Sequence, residues 1–105
     1  MRIKLLGKYY DFKFVKRLAK NYLGWCHTPE TPQKKIRVKI TKNYDELVDT
    51  CSHELMHGIF PSIDEDYVLE GNTDLINALK KLGFIRTEEE WKSSFEYREI
   101  FKREL

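Results

Sequence analysis

The chain has three histidines, and two of them, His53 and His57, stand four residues apart with Glu54 between them. On an α-helix, residues four apart project from one face, about 40° from each other. A helical His53-Glu54-x-x-His57 segment therefore offers two imidazole nitrogens to one metal ion, with a carboxylate beside them. Imidazole nitrogen suits Zn²⁺, and a carboxylate next to a zinc-bound water can take its proton. Glu54 is accordingly the candidate catalytic base, and His53 and His57 are candidate metal ligands.

Two histidines supply only part of a catalytic zinc site, which usually has three protein ligands and one water. His27 lies on another element, beside a loop with two prolines, Thr28-Pro-Glu-Thr-Pro-Gln33. Five carboxylates follow Pro61: Asp64, Glu65, Asp66, Glu70 and Asp74. On a helix over about 63–82, Asp66, Glu70 and Asp74 share one face, and Glu65 lies well off it. Glu70 is the favoured third ligand. It has the longer side chain, sits in the second turn, and has Gly71 beside it to let two helix backbones approach. Asp74, one turn further, is expected to accept the Nδ1–H of a ligand histidine and so fix its tautomer.

The elements that must position these groups can be read in part. Ile36, Val38 and Ile40 alternate with Lys35, Arg37 and Lys39, which reads as a strand with one apolar face and one solvated basic face. Asn43 and Glu46 have capping-box spacing ahead of Leu47, Val48, Cys51, Leu55 and Ile59, an apolar stripe opposite the two histidines. Arg2 to Leu6 reads as a short strand ended by Gly7, and Trp25-Cys26-His27 as the start of another. Asp11 to Leu23 fits a helix through Phe12, Val15, Ala19 and Tyr22, against a competing strand through Tyr10, Phe12 and Phe14. Ser62 and Glu65 offer a further capping box. Gly83 stops the helix that follows, and Thr87 with Glu90 starts a C-terminal segment whose aromatic residues fit no single stripe.

His53-Glu54-x-x-His57 followed by Glu70-x-x-x-Asp74 resembles the gluzincin clan of zinc metallopeptidases, and at this length the chain is most similar to minigluzincins. The match covers residues 34–83, with twelve residues between His57 and Glu70. The resemblance implies an α+β fold: a minimal single-domain zincin over residues 1–105, with an N-terminal strand and backing helix, a small mixed sheet, a zinc helix, a glutamate helix and a C-terminal helical segment. It implies Zn²⁺ held by His53, His57 and Glu70, peptide-bond hydrolysis through Glu54, and Asp74 orienting a histidine. It also implies a peptide or protein substrate paired along the strand Lys34–Ile40 as the upper rim of the cleft. Members of this group are kept latent, which implies that the segment 87–105 covers the cleft or mediates association with a second copy; a plain C-terminal core helix is the alternative. Larger relatives stabilise the oxyanion from a further subdomain that this chain lacks; Tyr67, Tyr97 and His27 are the stand-ins, none marked out by spacing.

Composition bounds the rest. At 105 residues, 41% of them hydrophobic, the chain supports one core. Charged residues make up 34%, mixed in sign, for a net charge of +2, from which no nucleic-acid partner is expected. Cys26 and Cys51 are too few for a disulfide scaffold and read as reduced thiols. The N-terminus turns polar at once, so no membrane partner and a cytoplasmic location are expected. A zinc-binding regulatory protein without turnover would use the same ligands. A purely structural zinc is disfavoured because such sites close with a fourth Cys or His.

Overall fold

A computed structural model describes residues 1–104. Four strands come first: β1 (Arg2–Leu5), β2 (Lys8–Val15), β3 (Gly24–Cys26) and β4 (Lys35–Lys39), with a 3₁₀ turn at Ala19–Asn21. Four helices follow: α1 (Tyr44–Ile59), α2 (Glu65–Lys81), α3 (Glu88–Lys92) and α4 (Phe95–Glu104). The strands form one mixed sheet in the order β1-β2-β4-β3, and the fold is α+β.

β1 and β2 form a hairpin in which Leu5 pairs with Lys8. The two loop residues, Leu6 and Gly7, both have positive φ, at 48° and 78°. That geometry matches the twist of the flanking strands, and glycine adopts it without strain. β2 then runs parallel to β4, with Phe12 beside Ile36 and Phe14 beside Val38, while β3 pairs with β4 antiparallel. The expected backing helix over Asp11–Leu23 is therefore corrected to strand β2 and the turn after it. Tyr10, Phe12 and Phe14 are all buried, and a strand puts three alternate residues on one face, which a helix cannot do. Tyr22, a member of the helical stripe, is instead exposed.

A second correction concerns the rim strand. β4 is hydrogen-bonded on both sides, so the strand of Lys34–Ile40 has no free edge for a peptide. β3 is the open edge on that side of the sheet.

α1 lies across the inner face of the sheet, where Leu47, Cys51 and Leu55 meet Tyr10, Phe12, Phe14, Ile36 and Val38. Asn43 caps it, its side chain accepting from the Glu46 amide at 3.0 Å. Gly58 lies inside this helix and does not end it. A Cβ there would meet Leu5 Cδ1 at 2.5 Å and Cys26 Sγ at 3.5 Å, so its lack of a side chain lets the last turn of α1 approach β1 and β3.

α2 packs on α1 through Val68, Asn72 and Ile76. Asn72 is buried and fully used. Its amide donates to the Asp49 carbonyl at 3.0 Å and to Asp49 Oδ1 at 2.8 Å, and its oxygen accepts from Ser52 Oγ. A leucine at this position would leave the partner groups on Asp49 and Ser52 unpaired. Asn72→Leu is expected to cost about 2 kcal/mol and lower Tm by roughly 10 °C, which a thermal melt checks. Gly71 faces open space and serves no close approach of helices.

The C-terminal segment is two short helices. Thr87 and Glu90 make a reciprocal capping box that opens α3, and Ser94 Oγ accepts from the Tyr97 amide to open α4. The break between them explains why the aromatic residues fit no single stripe. Tyr97 and Phe101 stack, Trp91 meets both of them edge to face, and Phe101 stacks on Phe14 with ring centroids 6.1 Å apart. The segment thus completes the core at the inner face of the sheet. No helix of the described residues is long and apolar enough to cross a membrane.

Candidate metal centre

The last two turns of α1 carry His53, Glu54 and His57. Phe60 ends the helix, its amide donating to the Met56 carbonyl at 2.7 Å, and the Ile63 amide donates to the Phe60 carbonyl at 3.0 Å. Asp64 then caps α2, its carboxylate accepting from the Asp66 amide at 2.8 Å. A carboxylate at this position also complements the helix dipole. The turn is short and α2 folds back on α1, so the first residue of α2 faces the end of α1. That residue is Glu65.

Glu65 grips both imidazoles. Its Oε1 lies 2.9 Å from His53 Nε2, and its Oε2 lies 2.9 Å from His57 Nε2. The two Nε2 atoms are 3.1 Å apart. These three side chains form a group whose donor atoms all lie within 4.8 Å of one another. Tetrahedral zinc with bonds of about 2.0–2.1 Å separates its ligands by about 3.3 Å. The edge between the two imidazoles is within a few tenths of an ångström of that, and one Glu65 oxygen lies close to each imidazole, so the donor set suits a small divalent cation in chemistry and in approximate size.

Glu54 stands beside this triangle, only 6% exposed. Burial, with the Glu65 charge adding to it, raises its carboxyl to about 7. In metal-free protein the folded chain then holds a proton between about pH 4.5 and pH 7 that the unfolded chain has released. Stability conferred by the proton is complete below that window and is lost as pH rises through it. Urea titrations in a chelator are expected to show wild type losing about 2 kcal/mol more than Glu54→Gln between pH 5 and pH 7.5. Equal slopes for the two proteins would refute the buried carboxyl.

The wall facing Glu54 is Gly24 of β3. A Cβ there would meet Glu54 Cγ at 3.0 Å, Glu54 Oε2 at 3.1 Å and the Arg37 carbonyl oxygen at 3.1 Å. The Arg37 carbonyl is held in the sheet, so the Glu54 side chain is the neighbour free to shift, and a bulky side chain at Gly24 pushes its carboxylate aside. Gly24→Val is expected to keep the fold and to abolish Glu54-dependent activity at least about tenfold, a loss consistent with displacing a catalytic group by an ångström. Kinetics alongside circular dichroism would check it.

These residues open on a cavity of about 390 Å³, walled by β3, its flanking residues Tyr22, His27 and Thr28, the end of α1, Pro61 and Glu65. The Lys39 amide of β4 donates to the Leu23 carbonyl at 2.8 Å, and the His27 amide donates to the Lys35 carbonyl of β4 at 3.0 Å. The N–H and C=O groups of Gly24 and Cys26 therefore point away from β4, along the open edge. The cysteines stay out of the chemistry. Burial, and next the Glu54 charge, push Cys26 up to about 11 and Cys51 up to about 12, so both are protonated thiols, and neither is bridged.

Of the residues singled out in the sequence, the structure brings His53, Glu54 and His57 together. It places Glu65, and not Glu70, against the two histidines. Glu70 and Asp74 are exposed on α2, outside that group. The physical reason is where α2 starts. Asp64, not Ser62, is the cap, so Glu65 occupies the first turn, where position is set by the turn from α1. The stripe rule ranks residues along a helix already formed, and it discounted Glu65. The signal that marks it is an acidic residue immediately after a capping aspartate, eight positions beyond His57. His27 does reach the cavity wall, stacked on Trp25 at 4.9 Å, with Nδ1 3.0 Å from the Gln33 carbonyl oxygen. Tyr67 is exposed on α2, and Tyr97 belongs to the aromatic stack of the C-terminal segment. Comparison with protein-family models, with curated proteins and with solved structures finds no match.

Proposed function

We propose that this chain is a zinc-dependent hydrolase of peptide bonds, with His53, His57 and Glu65 holding the ion and Glu54 as general base and acid. The observation that carries the reading is the convergence of two Nε2 atoms and one carboxylate beside a second, buried carboxylate that belongs to none of the three contacts. A structural site would have no use for Glu54, whose burial costs free energy. Zinc in such a site polarises a carbonyl and lowers the pKa of bound water toward neutrality.

The chain's own residues supply the rest. Glu54, near neutrality in its buried setting, is suited to accept a proton from the attacking water and return it to the leaving amine. The free N–H and C=O groups of Gly24 and Cys26 are suited to pair with an extended peptide, fixing its carbonyl over the triangle. His27, across the cavity, is the polar side chain placed to face charge developing on that carbonyl oxygen. Peptides rather than small molecules suit a site bounded on one side by an open strand edge.

No residue of 87–104 lines this cavity. The reading therefore needs no removal of the C-terminal segment. Full-length protein loaded with Zn²⁺ is expected to cleave peptides in a degenerate library, to stop when phenanthroline is added and to resume when zinc is restored. Truncation before Thr87 is expected to destabilise the fold, since it removes Trp91 and Phe101 from the core, and not to unmask activity. Zinc-loaded full-length protein that cleaves nothing would overturn the proposal.

A further inference from the structure

The outer face of the sheet carries a second, separate feature. Residues 1–40 contain eleven Lys and Arg against two acidic residues, Asp11 and Glu30, whereas residues 41–105 contain eight against fifteen. The net charge of +2 thus hides a basic sheet layer and an acidic helical layer. The fold sharpens the separation. The apolar residues of each strand point at α1 and α4, so their alternate neighbours point away from every helix. Arg2 and Lys4 of β1, Lys13 of β2, and Lys35, Arg37 and Lys39 of β4 share this outer face.

Most of the cations there have no carboxylate partner within the fold. Asp11 is the acidic residue on this face, and it is engaged by Arg37 at 2.9 Å and by the N-terminal amine at 3.7 Å. Among the described residues none of the other five cations pairs with a carboxylate. Lys13 sits directly beside Arg37 on the neighbouring strand, and of the two Arg37 alone has a carboxylate partner. Cations two residues apart along a strand stand about 7 Å apart, so the face presents a regular two-dimensional array of charge.

An aromatic ring is set in the same array. Tyr9 lies beside Lys4, is 53% exposed, and has the Arg2 guanidinium 4.1 Å from its ring centroid. Trp25 of β3 lies beside Arg37 but is half-buried and lines the cavity of the histidine site. We infer that this open sheet face binds single-stranded nucleic acid, its lysines and arginines on the phosphates and Tyr9 under an unstacked base. A sheet face with an exposed ring among cations suits a single strand whose bases can be splayed out, and it has no element that enters a duplex groove. An acidic protein would find the charge but has no need of the ring. An anionic membrane would need exposed apolar side chains, which this face lacks apart from Val15 at its end.

The test is fluorescence anisotropy of full-length protein with labelled dT15 and U15, with a duplex of the same length, with heparin and with phosphatidylserine vesicles. Single strands are expected to bind best, with a slope of log K against log salt of roughly −3, from four or five phosphate contacts. Lys13→Glu combined with Lys39→Glu is expected to weaken binding at least tenfold, and Lys81→Glu on α2 to leave it unchanged. Tyr9→Leu, which keeps an apolar side chain at an exposed site, is expected to weaken oligonucleotide binding roughly fivefold or more without changing heparin binding. Chelation of metal is expected to leave all these values alone, which separates this surface from the histidine site. Tighter binding of duplex, heparin or vesicles, an equal loss for Lys81→Glu, an unaffected Tyr9→Leu variant, or no binding at low salt would each overturn the inference.

Discussion

Glu54→Gln is expected to leave one zinc per chain and to lower peptide hydrolysis by about a thousandfold, the middle of the range for loss of a general acid–base group. Glutamine preserves the shape of the side chain and its fit against Gly24, so the cavity wall is undisturbed. It removes only the ability to accept and return a proton. Because Glu54 touches none of the three contacts of the triangle, metal content should not fall. The decisive measurement is zinc stoichiometry by mass spectrometry on the same preparation used for kinetics. Full activity with full zinc would remove Glu54 from the chemistry. Lost zinc would make it a ligand.

Glu65→Gln is expected to weaken zinc affinity by more than about a hundredfold, and Glu70→Gln to leave it within a factor of about two. Loss of a partner that merely orients a ligand costs ten- to a hundredfold, and removal of a ligand itself should exceed that. Both carboxylates stand on α2 and both are exposed, so surface charge alone would make the two variants alike. What separates them is position. Glu65 spans the two Nε2 atoms at 2.9 Å each, and Glu70 lies outside that group. Competition titrations with a chromophoric chelator read both variants on one scale. Equal affinities would return the third ligand to the open choice among the five carboxylates after Pro61.

Much of the site was legible from residue types. The spacing of His53, Glu54 and His57 requires only that the segment be helical, and Asn43 with the Leu47–Cys51–Leu55 stripe supplied the cap and the apolar face that make it so. The alternation of Ile36 and Val38 was equally direct. Such patterns are local: each follows from the periodicity of one element packed on one side.

Other features lay beyond any local pattern. Tyr10 to Phe14 satisfied two periods at once, and burial of all three rings under α1 and α4 decided for the strand. The edge available to a peptide depended on strand order. β4 looks in sequence like the natural rim, and only pairing with both β2 and β3 closes it. Gly24 carries no motif; its role appears once β3 is laid against Glu54.

The sequence by itself determined that one helix would present two imidazoles and a carboxylate on a shared face, because that depends on 3.6-residue periodicity alone. The tertiary structure decided which acid meets them, because the choice depends on where the turn Phe60–Asp64 ends and how α2 folds back on α1. It also decided which strand borders the site and which face of the sheet is left bare and basic. Those are matters of long-range packing and register, on which the order of residues along one element carries no information.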